Sequence, residues 1–130
     1  MNVVAHGVDV VKVTRIAEMR RDHGEAFLSR CFTAGERGYA LSMTRRTDEH
    51  LAARFAAKEA VMKALGTGLT QGIGWTEIEV VREPSGQPRL ALSGRAAAVA
   101  AERGIGAWLI SLSHTEDAAI ASVIGLTAGS

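Results

Sequence analysis

Several things are scarce in this chain, and each scarcity excludes a class of protein. Cys31 is the only cysteine among 130 residues, so there is no disulfide framework and no cysteine metal cluster. No apolar run approaches the roughly 18 to 20 residues of a membrane span, and the first residues lack a basic region followed by an apolar one, so no membrane association and no secretion is expected. Six aromatic residues are too few for an obvious base-stacking platform. Internal repeats, low-complexity tracts and linkers are absent as well. A cytoplasmic protein is the simplest expectation.

What is present is enough for one ordinary domain. At 47% hydrophobic, the chain can bury its own core, and we expect a single domain over residues 1–126 with a disordered tail at 127–130. The net charge of +1 hides an asymmetry, since residues 1–63 carry 11 Lys/Arg against 8 Asp/Glu and residues 64–130 carry 4 against 6. That favours an acidic partner or a phosphate modestly.

The pattern of elements predicts an α+β fold, an antiparallel sheet packed against a long helix. Val3 to Val11 reads as a strand, and Thr14 is placed to cap a helix ending near His23-Gly24. Thr33 and Glu36 have capping-box spacing for a short helix, and the long helix is expected from Asp48 to Leu65. Strands follow at Thr76–Arg82 and Arg89–Leu92 around the turn "EPSGQP". Ser93 is then placed to cap an alanine-rich helix stopping at Gly104, and two apolar segments around "HTED" predict a closing hairpin.

The long helix raises a question. Leu51, Phe55, Met62 and Leu65 form one apolar stripe; Lys58 borders it on one side, and Glu59 lies about 40° from Phe55 at its other edge. A carboxylate there needs compensation, because an unpaired buried charge is costly. An i, i+4 pair with Lys63 supplies some, ~0.2–0.5 kcal/mol if exposed. Asp9 interrupts an apolar strand, as an edge-strand aspartate or as a ligand. "GTG" at 66–68 is a helix stop whose amides could also face a phosphate, and His114 is either a hairpin residue or a phosphate-binding or proton-accepting one. Taken together, Asp9 and Glu59 suit Mg²⁺, which keeps several waters and takes further oxygens from a substrate phosphate.

The blocks "GVDVVKVTRI", "FTAGE", "LAARFAAKEAVMKALGTG", "GQPRLALSG" and "ISLSHTEDAAIASVI" resemble, in order and spacing, the holo-acyl-carrier-protein synthase family of short, single-domain 4'-phosphopantetheinyl transferases. Ala5 and His6 stand where that family more often has glycine and an aliphatic residue. The resemblance implies the 4'-phosphopantetheinyl transferase fold, a homotrimer with sites between subunits, and transfer of the phosphopantetheine arm of coenzyme A to a serine of an apo acyl carrier protein of fatty-acid or polyketide synthesis. It implies that Asp9 and Glu59 hold Mg²⁺, and that Glu59 and Lys63 act in catalysis. It further implies that Lys63, Arg54, Ser85, Gly86, Pro88, Ser113, His114 and Thr115 bind coenzyme A, with Arg54, His114 and the "SGQP" turn at the adenosine 3'-phosphate end. Glu59, a metal-bound water and Glu36, in that order, are candidates to take the serine proton. Arg15, Met19, Arg20 and Arg21 on the first helix would dock the acidic carrier, or form a solvated basic face. The competing class is a small module that binds RNA or another phosphate ligand without chemistry, or a silent relative that binds carrier alone.

Overall fold

A computed structural model of the chain describes residues 1–68 and 70–128. Strand β1 (Val3–Lys12) pairs antiparallel with β5 (Ala118–Thr127), which pairs on its other edge with β4 (Ile105–His114). Period-two alternation gives this sheet two faces. Gly7, Val11, Ala119, Ala121 and Val123 are buried, whereas Val8, Val10, Leu109 and Ile120, on the alternate positions, are exposed. A second, two-stranded sheet consists of β2 (Ile78–Arg82) and β3 (Pro88–Leu92).

Helix α3 (Thr47–Leu65) runs through the middle, and it corrects the single-stripe expectation. Burial extends around the helix and takes in Ala52, Ala53, Ala56, Ala57 and Ala60 as well as Leu51, Phe55 and Leu65. The alanines are the reason: a methyl side chain lets strands and helices close on every side. The sheet packs on one side, and α1 (Val13–Cys31) and α2 (Ala34–Ser42) pack on others.

Local signals succeed or fail for identifiable reasons. The Thr33–Glu36 capping box forms in both directions. Thr14 does not cap α1, because β1 runs straight into the helix and the first amide, on Val13, donates to the Asp117 carbonyl of the β4–β5 hairpin at 2.9 Å. Gly24 (φ 50°) kinks α1 where an end was expected. The helix continues to Cys31 because Phe27, Leu28 and Cys31 have core to bury against; Phe27 meets Phe32 and Phe55. A 3₁₀ turn at Trp75–Glu77 takes the first residues expected in β2. Ser93 precedes α4 (Gly94–Glu102) without a side-chain cap, and the Glu77 carboxylate instead accepts from the amides of Arg95 and Ala96 at 3.2 Å. Thr127, expected in the tail, ends β5 and bonds Asn2 twice. Residues 129–130 of that tail lie outside the described residues.

Candidate active site

Gly7 brings the first corner of the site together. A side chain at this position would run into the carbonyl of Ala60, so only glycine lets β1 lie directly on α3. Asp9, two residues further on the same face, is thereby delivered to the side of the helix that carries Glu59 and Lys63. Lys63 Nζ donates to Asp9 Oδ1 at 2.7 Å and to the Val8 carbonyl at 3.2 Å. Arg15, from α1, approaches Glu59 Oε1 at 3.6 Å with its guanidinium also over Phe55. That distance is an ion pair but not a hydrogen bond, and Glu59 Oε1 is buried with no hydrogen-bond partner. Burial, and then the Asp9 carboxylate, push the Glu59 carboxyl up; Arg15 and Lys63 pull it partly back.

This corner fits a divalent cation that is incompletely held by protein. It offers two carboxylates from separate elements, one with an unpartnered oxygen, and no cluster of three or more His, Cys, Asp or Glu is present among the described residues. A structural zinc site would need four such ligands. Mg²⁺, by contrast, commonly takes one or two carboxylates plus water and substrate oxygens.

The neighbouring residue of α3 belongs to a different environment. Lys58 is fully buried: its Nζ donates to Glu36 Oε1 at 2.8 Å, to the Trp75 carbonyl at 3.0 Å and to that of Ile78. Glu36 accepts in addition from the amides of Thr33 and Val80, each at 2.9 Å. This removes Glu36 as a candidate base, since both oxygens are engaged in the interior, where no substrate hydroxyl reaches.

A second site lies where α3, the β2–β3 turn and β4 meet. Arg54, Gly86, Pro88 and His114 line one cleft of about 490 Å³, together with His50 and Arg82. Asp9, Glu59 and Lys63 do not line it. His114 Nδ1 is 3.0 Å from Glu49 Oε1. The His50 ring contacts those of Tyr39 and His114, and burial, followed by Arg54, His114 and Arg82, pushes it down to about 4. Ser85 lies beside the cleft in the turn, accepting from the Gln87 amide. Ser113 alternates onto the exposed face of β4, and the Thr115 hydroxyl accepts from the amides of Asp117 and Ala118 in the hairpin.

The first helix is divided in the same way. Arg15 and Met19 line a groove of about 380 Å³ floored by Phe27, Phe55 and Trp75, with Trp75 stacked on Phe55 at 4.6 Å. Arg20 instead reaches Asp48 with two bonds, at 2.8 and 3.3 Å, and so ties α1 to the start of α3. Arg21 pairs with Asp22 on the surface.

Comparison with known families settles the relationship. The family model described as the 4'-phosphopantetheinyl transferase superfamily matches residues 5–122. The chain belongs to this superfamily. It is 46% identical over 122 residues to the holo-[acyl-carrier-protein] synthase of Koribacter versatilis, covering 94% of this chain and 97% of that one. The crystal structure of the Neisseria meningitidis holo-[acyl-carrier-protein] synthase superimposes with a TM-score of 0.85 at 29% identity, covering 97% of this chain and all of that one. The Bacillus anthracis holo-(acyl-carrier-protein) synthase, in complex with CoA (3',5'-ADP), gives 0.79 at 31% identity, covering 97% and 98%.

Every residue expected at the site lies inside the stretch matched to the superfamily. Sequence reasoning missed several that shape it. Gly7 had a readable signal, a glycine inside a β-branched strand two residues before the aspartate. Arg82 and His50 had none, because an arginine ending a strand and a histidine in a helix are ordinary until the fold aims them into one cleft.

Proposed function

We propose that this chain transfers the 4'-phosphopantetheine arm of coenzyme A to a serine hydroxyl of an apo acyl carrier protein, releasing adenosine 3',5'-bisphosphate. The observation that carries the proposal is the Asp9–Glu59 corner, where residues 50 apart in sequence converge and Glu59 Oε1 is left unpartnered. Asp9 and Glu59 would hold Mg²⁺, which when bound polarises the phosphoryl group and offsets the charge on the departing pyrophosphate oxygen. Lys63, already reaching Asp9, contributes a further positive charge at that group. Glu59, beside that metal, is the chain's own candidate to take the serine proton.

Arg54 and His114, with the Gly86–Pro88 turn, would hold the adenosine 3'-phosphate end. Ser85, Ser113 and Thr115 border that site rather than line its main cleft. Arg15 and Met19 would dock the acidic carrier, the first by charge and the second by apolar contact over Phe27 and Phe55. Arg21, on the surface, adds to the basic field, while Arg20 is engaged with Asp48.

The functional unit we propose is a homotrimer of single-domain subunits. Its support is the outer face of the β1–β5–β4 sheet, where Val8, Val10, Leu109 and Ile120 are exposed together. The separation of the Arg54–His114 cleft from the Asp9–Glu59 corner is consistent with a site completed across an interface. Sedimentation at micromolar concentration should find three chains, and a stable, active monomer would contradict the assembly. A cytoplasmic location accords with the single, buried and unpaired Cys31. Among the described residues no helix is long and apolar enough to cross a membrane.

The deciding experiment combines apo carrier, coenzyme A and Mg²⁺ and then weighs the intact carrier. A gain of one phosphopantetheine on the modified serine is expected. Carrier bound but unchanged in mass would identify a silent relative, and neither binding nor modification would favour a phosphate-binding module.

A further inference from the structure

On the outer face of the β1–β5–β4 sheet an imidazole stands in an otherwise aliphatic row. The strand register sets His6 opposite Ile124 and Ile124 opposite Leu109, so the three cross the sheet side by side. In the next two rows Val8 and Val10 face only Ser122 and Ile120 on β5, which face Ser111 and Ser113 on β4. His6 is exposed, as are Val8, Val10, Leu109 and Ile120.

Nothing on this face compensates a charge at His6. Among the described residues it takes part in no ion pair. The outward positions of β4 and β5 in these rows carry no ionisable group. Asp9 and Lys12 are the other ionisable residues of β1. Asp9 is on the opposite face, held by Lys63. Lys12 shares the outer face but lies about 20 Å along the strand, well beyond the roughly 8 Å over which exposed charges act. The remaining cation on this stretch, the amino group of Met1, would repel an imidazolium rather than pair with it. A neutral imidazole packs among aliphatic side chains, whereas an imidazolium taken out of water without a counter-charge is strongly disfavoured or sheds its proton.

We propose that His6 makes self-association through this face depend on pH: the neutral imidazole is covered by a second copy of the chain, and its protonation separates the copies. This rests on the trimeric assembly proposed above. A second copy is the occupant rather than the acidic carrier, because the face offers an acidic partner no cation but Lys12 at its far end. The divided site points the same way, since the Arg54–His114 cleft is lined by neither Asp9 nor Glu59 of its own chain. An unperturbed histidine changes charge near pH ~6.5. Separated chains bind the proton and assembled ones do not, so association is complete above that pH and weakens as pH falls through it. Each histidine that must shed its proton lowers the association constant by up to about tenfold per pH unit below that value, and a trimer contains three.

The test is sedimentation velocity at micromolar concentration between pH ~8 and ~5.5, on wild type, His6→Ile and His6→Arg, with circular dichroism on the same samples to follow folding. Wild type should sediment as three chains at the upper end and shift towards folded single chains at the lower, its association constant falling at least about tenfold. His6→Ile keeps every other histidine and should stay assembled throughout. His6→Arg, charged at every pH used, should be monomeric throughout; if it fails to fold, wild type against His6→Ile decides alone. Wild type that stays assembled across the range, wild type and His6→Ile that dissociate together, or a His6→Arg that assembles like wild type would each overturn the proposal and leave the assembly standing. Monomeric wild type and monomeric His6→Ile at the upper end would refute the assembly itself, and the proposal with it.

Discussion

Lys58 and Glu59 are consecutive in the chain, yet one helps to build an interior lock and the other an open corner. Lys58 meets Glu36 with both side chains at 0% exposure, and each polar atom there has its partners. Glu59 faces Asp9, Lys63 and Arg15 at an edge of the same helix, with side-chain exposure of 26% and one oxygen unpartnered. A buried ion pair persists only when hydrogen bonds complete it, as they do around Lys58. A half-buried carboxylate beside another carboxylate raises the energy of the protein that carries it. The first arrangement holds α2, α3 and β2 together, and the second is fit to receive a cation and a phosphate.

The largest effect expected from this contrast is on stability. Lys58→Met leaves Glu36 buried without its cation and should cost about 3–5 kcal/mol in urea unfolding. Adding Glu36→Met should recover only part of that loss, because it removes the stranded charge but leaves the Thr33 and Val80 amides without their acceptor. A cost below about 1 kcal/mol for Lys58→Met would place the pair among exposed ones and break the contrast.

Asp9→Ala should act in the opposite way. Transfer should fall at least about 100-fold, on the scale of losing a metal's charge stabilisation, while the midpoint of unfolding changes little. Lys63→Ala should cost less, about tenfold, in the coenzyme A side or the chemical step, and its effect should be absent from carrier KM. Arg15→Gln, which removes the charge without adding a carboxylate beside Glu59, is expected to give the smallest change in kcat. It should raise the carrier KM and flatten its salt dependence, since exposed charges steer over about 8 Å at physiological ionic strength. Impaired coenzyme A binding with unchanged carrier recognition would remove Arg15 from the docking face.

The legible parts of the molecule were those whose causes lie close together in sequence. The Thr33–Glu36 box, the long helix and the closing hairpin follow from residues a few positions apart. Asp9 and Glu59 stood out because charge at an apolar boundary requires a reason. Lys58 was placed at the border of a stripe and is instead fully buried, for periodicity ranks lysine as polar and cannot see Glu36, 22 residues upstream. The cap of α4 was missed similarly, since Glu77 reaches it from before β2. Arg82 shares the Tyr39 ring with Arg54, and no local pattern joins the three.

Glu59→Gln, with transfer rate and thermal melting read on the same samples, tests the division of labour most directly. The folded Glu59 carboxyl holds its proton to higher pH than the unfolded one, so its contribution favours the fold at low pH and is lost as pH rises through the folded pKa. Glutamine never ionises and avoids that loss. Without metal at pH 7, the variant should therefore melt at or above wild type, with the difference closing as pH falls towards the ordinary carboxylate range, while transfer drops at least about 100-fold. A variant that melts well below wild type, as the Lys58 replacement should, or one that transfers at the wild-type rate under limiting Mg²⁺, would contradict the account.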